Sequence, residues 1–359
     1  HYKNLLQPNL LLPAEQILCD EVDRFINDEH TVELFDAEIS ITECEKALKK
    51  LSTGKAPGVD QMPYEFIKAG GPILIPYLTK IFNQILHSGI YPKEWALAII
   101  CSIFKSGDKN DPNNYRGISL LPSLSKLFDT ILETRIRAWE NSNSILDQNQ
   151  AGFRAKYSTV DHIFTLNSII QRYRSQRRKV YCAFIDFSKA FDCVNRVVLF
   201  YKLSREGVSS KFLKLIRSLY SHTKACVKGQ ETQFFDILAG VQQGAPLSPS
   251  FFALILNDLD KELRSNNTGY VTLQKFKIYS LLFADDLVLF AESPKKLLHS
   301  LAVLYDYTQK WGFKINSSKS NIMIFRNSGS FTDNTVWKLG RSGQLLQVVD
   351  QYKYLGVWF

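Results

Sequence analysis

An α+β fold is predicted by three observations: helical periodicity in stretches such as Ser123 to Trp139, short apolar runs bounded by charge such as Val180 to Ile185, and turn residues between them. The chain has 359 residues, 45% of them apolar, ample for one large or two interleaved domains. It contains neither an internal repeat nor a low-complexity tract.

Residues 1 to 39 mix acidic and apolar residues without a decisive signal, so organised structure is expected to begin at Ser40. Ser40 followed by Glu43 has capping-box spacing and opens a helix through Leu51. Gly54 to Asp60 reads as a loop, and a helix over Ile73 to His87 is expected to be interrupted early by Pro76. Ala98 to Phe104 is a short strand, Lys105-Ser106-Gly107-Asp108 has turn chemistry, and Tyr115 to Leu121 returns as a second strand. Helices follow over Ser123 to Trp139 and Thr159 to Gln176. Val180 to Ile185 suits a buried strand, with helices over Arg196 to Arg205, Lys211 to Tyr220 and Pro249 to Leu263. Ile278 to Phe283 and Leu287 to Ala291 are apolar strands separated by Ala284, Asp285 and Asp286, a tight hairpin with acids at its tip. Leu355 to Phe359 reads as a strand cut short; with a start at His1, the chain is expected to come from something longer, with domains on either side.

Lys plus Arg number 44 against 35 Asp plus Glu, a formal charge of +9 that favours a polyanionic partner, nucleic acid or an anionic membrane surface. The six cysteines are scattered without a C-x-x-C pair, which argues against a zinc knuckle or a disulfide framework and for a reducing, intracellular compartment. No apolar run reaches membrane-spanning length, and the opening residues carry no signal peptide, so no membrane partner is expected. His30, His87, His162, His222 and His299 show no metal-ligand spacing.

Asp285 and Asp286 are adjacent carboxylates held between apolar strands, where uncompensated charge is costly. Two carboxylates about 5 Å apart repel by roughly 3 kcal/mol at an effective dielectric of about 20, and a divalent cation reverses the sign. Oxygen-only ligands select magnesium. Taken alone, the pair is equally well read as a solvated hairpin turn. The strand ending in Asp186 changes the balance, because it can deliver a third carboxylate from a neighbouring strand and complete a two-metal site. Asp192 competes with Asp186 but lies past Ser188 in an expected helical turn, where a capping or ion-pairing role is more common.

These residues carry a family resemblance. Asp186-Phe187-Ser188-Lys189-Ala190-Phe191-Asp192 resembles the first catalytic motif of the reverse transcriptases of non-LTR (LINE-type) retrotransposons, and Phe283-Ala284-Asp285-Asp286 resembles their second. Between them stands Gly240-Val241-Gln242-Gln243-Gly244-Ala245-Pro246-Leu247-Ser248-Pro249, similar to the family's template and nucleotide-binding turn. Phe104 to Asp108, Asn114 to Leu120 and Gln150-Ala151-Gly152-Phe153-Arg154 resemble the fingers, and Gly312-Phe313-Lys314-Ile315-Asn316, Lys319 and Tyr354-Leu355-Gly356 follow in the family's order. The resemblance runs from about residue 50 to the end, and the motifs in this order are far more specific than any one alone.

The resemblance implies a right-hand polymerase fold with the thumb largely absent: an N-terminal extension at 1–40, fingers at 41–179, palm at 180–193, a return to the fingers at 194–243, and palm with the start of the thumb junction at 244–359. It implies that Asp186, Asp285 and Asp286 hold two Mg2+ ions, with Mn2+ as a substitute, and that Lys105 and Arg116 hold the triphosphate of a deoxynucleotide, a role that suits a point charge and a planar fork. Phe191 would pack under the sugar and exclude a 2′-hydroxyl, and Gln243 and Gly244 would support nucleotide and template base. Lys319 would protonate the leaving pyrophosphate, with Lys314 and Lys310 as nearby alternatives. Arg154 belongs to the matching fingers motif. Arg172, Arg174, Arg177 and Arg178 could grip template phosphates, or equally complement a helix C-terminus. The expected partners are an RNA template, a DNA primer or target and an endonuclease fused outside this chain; the expected setting is intracellular, with cytoplasmic assembly and nuclear integration. The rivals are a decayed copy that only binds RNA, a group II intron maturase, and a two-metal nuclease.

Overall fold

The helix announced by Ser40 and Glu43 runs Ile41–Lys50 and carries both halves of the capping box: Ser40 Oγ accepts from the Glu43 amide at 3.2 Å, and Glu43 Oε2 accepts from the Ser40 amide at 2.9 Å. The computed structural model describes residues 1–7, 14–230, 232–327 and 334–359. Its strands are β1 (Leu97–Phe104), β2 (Tyr115–Leu120), β3 (Val180–Asp186), β4 (Lys224–Val227), β5 (Phe235–Asp236), β6 (Val271–Leu273), β7 (Phe276–Ile278), β8 (Ser280–Phe283), β9 (Asp286–Ala291), β10 (Asn321–Phe325), β11 (Gln347–Val348), β12 (Lys353–Tyr354) and β13 (Val357–Trp358). Strands and long helices together make an α+β chain, and among the described residues no helix is long and apolar enough to cross a membrane.

Packing divides the chain into two units, residues 1–145 with 191–252, and residues 146–190 with 253–359. The first unit holds the sheet β2-β1-β4-β5, with β1 antiparallel to β2 and parallel to β4. Ala98, Ile100, Ala225 and Ile237 form a buried cluster with Leu6, whose helix Tyr2–Leu6 belongs to the stretch expected to lack organisation. Helices Glu15–Asn27 and Glu33–Asp36 also precede Ser40, and Phe35 is fully buried, its ring 4.5 Å from that of Phe212. Ordered structure therefore begins well before Ser40; a four-residue helix is anchored by tertiary packing and leaves no periodic signal of its own. Pro76 does not interrupt its helix, which runs Gly71–Ser88. Only the one bond that Pro76 cannot donate is lost, while Ile75, Leu78, Phe82, Ile85 and Leu86 bury a continuous face. Asp60, in the expected loop, caps the helix Ser123–Ser142 by accepting from the Ser123 amide at 3.0 Å.

The second unit is built on the sheet β11-β10-β3-β9-β8, with β3 at its centre and buried along all but its last residue. Helix Thr159–Ser175 packs Leu166, Ile169, Ile170 and Tyr173 against Val180, Cys182, Phe184, Val288 and Phe290. Residues 146–179, assigned with the fingers by resemblance, thus pack with the strand that carries Asp186. Three elements differ from expectation here. The helix expected over Pro249 to Leu263 is two, Ser248–Ile255 and Leu259–Ser265, because Tyr307 Oη donates to the Ile255 carbonyl at 3.2 Å and Asn257 Oδ1 accepts from the Asp147 amide at 2.8 Å. Ile278 belongs to the separate β6–β7 hairpin, and Asp286 opens β9 instead of sitting at the tip. The final strand is a hairpin, β12–β13, turning at Leu355 and Gly356, both at positive φ as a type I′ turn requires. None of the six cysteines, all among the described residues, is in a disulfide.

Asp129 is buried in the first unit, where it accepts from Tyr91 Oη at 3.0 Å. Burial raises its carboxyl from 3.8 to about 7, outweighing the hydrogen bonds that favour the anion. The folded state therefore holds this proton more tightly than the unfolded chain, so stability declines as pH rises from about 4 to 7, by on the order of 4 kcal/mol. Asp129→Asn should flatten that decline in urea unfolding measured at pH 5 and pH 8; a wild-type slope in the variant would show that Asp129 does not carry it.

Candidate active site

β3 delivers Asp186, β9 begins with Asp286, and the two are direct antiparallel partners. By strand alternation Asp186 shares the face of Val180, Cys182 and Phe184, and Asp286 that of Val288 and Phe290. Both carboxylates therefore stand on one face at the end of the sheet, half-buried. Ala284 and Asp285 form the two-residue loop from β8 to β9, with Ala284 at φ +58°. Positive φ at the first loop position is the type II′ pattern, where glycine is usual, so Ala284 holds a strained backbone immediately before Asp285.

A second segment is laced to Asp186. The Asn316 amide donates to the Asp186 carbonyl at 2.8 Å, and Ser320 Oγ accepts from the Asp186 amide at 3.0 Å. Ser188 N–H donates to the Lys314 carbonyl, and Lys319, exposed, donates its amide to the Asn316 carbonyl at 3.1 Å. The structure thus places the Lys319 backbone in the turn that flanks Asp186. Tyr352 stacks on Phe184 at 4.3 Å, on the face that bears the acids. Burial chiefly, with Asp286 and Asp186 after it, pushes the Tyr352 phenol up to about 12; burial and Asp286 also raise Tyr354. His162 lies 3.4 Å from Tyr354 Oη, and burial lowers its imidazole to about 4, so it is neutral at pH 7.

Among the described residues no three acidic, histidine or cysteine side chains converge as a ready-made metal cage. The opposed pair Asp186 and Asp286 nevertheless suits Mg2+, which is commonly held by one or two carboxylates together with water and substrate phosphate. The donors are hard oxygens, and the cation's charge would relieve the repulsion that their register imposes.

The residues expected to hold the nucleotide, Lys105, Arg116, Phe191, Gln243 and Gly244, lie in the first unit. Arg116 faces Ile103 across the β1–β2 ladder, and the Lys105 amide donates to the Asn114 carbonyl at 2.9 Å. That register puts the exposed Lys105 and Arg116 on one face of the hairpin end, a geometry able to hold phosphate oxygens. The half-buried Phe191 stacks on Phe252, ring centroids 4.6 Å apart and nearly parallel. Gln243 Nε2 donates to Asp192 Oδ1 at 2.9 Å, and the Gln243 carbonyl accepts from the Ser119 amide at 2.8 Å. Gly244 has φ +108°, and a Cβ there would stand 3.0 Å from the Ser119 carbonyl.

Two residues earn roles that the sequence reading missed. Asp192, discounted as a competitor of Asp186, accepts from the Gln243 amide and orients it from the turn in which it was expected. Arg196, buried, donates to the carbonyls of Gly240, Tyr220 and Ile237 and lies over the Tyr220 ring at 4.6 Å, pinning the approach to Gln243. Its signal was present only as a charge at the start of an apolar helix.

The arginines expected to touch nucleic acid divide. Arg172, Arg174 and Arg177 lie at or just past the C-terminus of helix Thr159–Ser175, and Arg174 and Arg177 are exposed. Arg178 pairs with Glu292 at 2.6 Å and covers the Tyr173 ring. Arg154 donates to the carbonyls of Asp147 and Gln150 and stacks on Tyr157, so its guanidinium closes its own loop.

The sequence model of the family described as "Reverse transcriptase (RNA-dependent DNA polymerase)" matches residues 105–359. The RNA-directed DNA polymerase from mobile element jockey of Drosophila melanogaster is 26% identical over 354 residues, 96% of this chain and 37% of the relative. The probable RNA-directed DNA polymerase from transposon X-element of the same fly is 29% identical over 339 residues, 90% of this chain and 36% of the relative. The Pol polyprotein from type-1 retrotransposable element R2 of Popillia japonica is 29% identical over 312 residues, covering 85% and 42%. The chain thus spans well under half the length of these three relatives.

Replacing Asp286 by Asn should lower the Tyr352 titration midpoint while leaving it above 10, because burial is the larger cause of the rise and the carboxylates the smaller. Carbon NMR of ring-labelled tyrosine, assigned with Tyr352→Phe, reads this directly. An unmoved midpoint would mean that the acid does not act on that ring.

Proposed function

We propose that this chain, which belongs to the reverse transcriptase (RNA-dependent DNA polymerase) family, is the polymerase portion of a non-LTR retrotransposon protein that copies RNA into DNA. The observation that carries the reading is the register pairing Asp186 with Asp286 beside the Ala284-Asp285 turn, on a sheet otherwise filled with apolar side chains. In this reading β3 and the β8–β9 hairpin are the palm of a right hand, and the hairpin bearing Lys105 and Arg116 belongs to the fingers. The thumb and an endonuclease are expected elsewhere in the longer protein.

The reaction joins a primer 3′-oxygen to the α-phosphorus of a deoxynucleoside triphosphate and releases pyrophosphate. Two bound Mg2+ ions would supply positive charge for the attacking and leaving oxygens. Asp186, Asp285 and Asp286 provide the oxygen donors that hold this charge. Lys105 and Arg116 neutralise and orient the triphosphate oxygens, which leaves the protein mainly a positioning and electrostatic task. Phe191, fixed by its stack on Phe252, presents an aromatic edge against a ribose 2′-hydroxyl. Gln243, oriented by Asp192, supports the nucleotide, Gly244 gives the backbone close approach, and Lys319 donates a proton to pyrophosphate. Arg172, Arg174 and Arg177 contact template phosphates. The primer is the 3′ end of nicked target DNA, which places the reaction in the nucleus after cytoplasmic assembly.

Extension of a DNA primer on an RNA template, with Mg2+ and deoxynucleotides, should fall to background in Asp285→Asn. Equal extension by both proteins would sink the assignment. If a longer form that includes the thumb binds RNA but does not extend the primer, the RNA-binding reading replaces this one. Phe191→Val should weaken discrimination against ribonucleotides by roughly 10- to 200-fold, the range open to a steric contact in a pocket. Unchanged incorporation ratios in single-nucleotide assays would remove Phe191 from the sugar-gating role.

A further inference from the structure

We propose that residues 149–152 form a positioning strap for the carboxylate-bearing turn, with Gln150 and Gly152 as its working residues; the proposal rests on the polymerase reading above for its catalytic consequence. The strap lies against the outer side of β8, away from β9. The Ala151 amide donates to the Leu282 carbonyl at 3.0 Å and the Leu282 amide to the Asn149 carbonyl at 2.9 Å, which makes Gln150 a parallel bridge partner of Leu282. These bonds give β8 a neighbour at its edge and stop the hairpin from pivoting there.

Two side-chain features extend the hold from β8 to the turn itself. Gln150 is 2% exposed, and its Oε1 accepts from the Gly152 amide at 3.0 Å and, more loosely, from the Ala284 amide at 3.4 Å. Ala284 is the residue at positive φ that aims Asp285. At Gly152 an added Cβ would stand 2.2 Å from the Ala284 nitrogen and 2.9 Å from its Cα. Those are backbone atoms that cannot swing aside, so the turn rests directly on the glycine. The strap has its own anchor: Arg154 binds the Asp147 and Gln150 carbonyls, and the Asp147 amide donates to Asn257 Oδ1. A strained loop position is thereby fixed from one side by a hydrogen bond and from below by contact, without either residue touching substrate.

Gln150→Met keeps the volume and removes the acceptor. It should lower kcat by about 10- to 100-fold, as loss of an orienting partner does at metal sites, while the deoxynucleotide KM stays near wild type. In the metal-free protein, amide exchange at Ala284 and Gly152 should speed up, and Gln150→Glu, which restores an acceptor oxygen, should slow it again. Gly152→Ala should lower kcat by about 100-fold, the effect of a displacement on the order of 1 Å at a reacting centre. Should Gly152→Ala not fold, as its melting curve would reveal, Gln150→Met decides the matter. Wild-type kcat together with wild-type exchange in Gln150→Met overturns the strap. Exchange that speeds up in Gln150→Met and stays fast in Gln150→Glu also overturns it, since packing and not the acceptor would then be responsible. If Asp285→Asn retains extension, the polymerase reading fails instead, and the exchange measurements still judge the strap by themselves.

Discussion

The antiparallel pairing of β3 with β9 sets Asp186 opposite Asp286, and a slip of one residue would turn one of them to the other side of the sheet. Like charges directly opposed across strands destabilise a sheet, by roughly 3 kcal/mol at a separation of about 5 Å in a medium of effective dielectric about 20. The register is nonetheless secured by what lies behind it. Cys182 pairs with Phe290 and Phe184 with Val288, all four buried, so slipping the acids apart would also expose that face. At roughly 1.5 to 3 kcal/mol for each large apolar side chain brought out of the core, the hydrophobic term outweighs the repulsion. The apolar sheet thereby holds two carboxylates opposite each other at its end.

That balance explains which parts of the molecule were legible in the sequence. An all-buried central strand must be written as an unbroken apolar run, so Val180 to Ile185 and its terminal acid stood out. The capping box at Ser40 and Glu43 was legible because it is a local interaction whose partners lie three residues apart. Helix Glu33–Asp36 was not, since what stabilises its Phe35 is Phe212, far along the chain. The break between Ser248–Ile255 and Leu259–Ser265 was invisible for the same reason: periodicity cannot register that Tyr307 and Asp147 engage the groups at the break. The chemistry of Asp285 and Asp286 was legible as a type of residue in a type of turn. Its supports, Gln150 and Gly152, could be read only as part of a segment resembling the family's fingers.

In the first unit a comparable division holds around Gln243. The glutamine and Gly244 were singled out from their motif, but the amide is useful only if its orientation is fixed. Asp192 supplies one constraint and the Ser119 amide another, through the Gln243 carbonyl. Arg196 supplies a third at one remove. Burial lowers its guanidinium to about 10, which still leaves the cation charged at neutral pH, and its bonds to the Gly240 and Ile237 carbonyls turn a buried charge into a clamp on the loop. An arginine that opens a helix reads as surface until its carbonyl partners are known.

Departures from ordinary backbone and hydrogen-bond economy fall close to these same residues. Ala284 takes a conformation that glycine would adopt more easily, and Lys189, three residues past Asp186, also has positive φ at +48°. Gln150 Nε2 and Gln242 Nε2 are buried without a hydrogen-bond partner among the described residues. Each departure costs about 1 to 3 kcal/mol, and a sequence selected for stability alone could remove them with a glycine at 284 or an apolar residue at 150. A glycine at 284, however, would widen the backbone freedom of the turn that aims Asp285, and an apolar residue at 150 would leave the Gly152 and Ala284 amides without their acceptor. Strain in the turn and an idle donor in the strap are thus two sides of one constraint: Asp285 must be held in place by neighbours, because the local sequence around it would not hold it there.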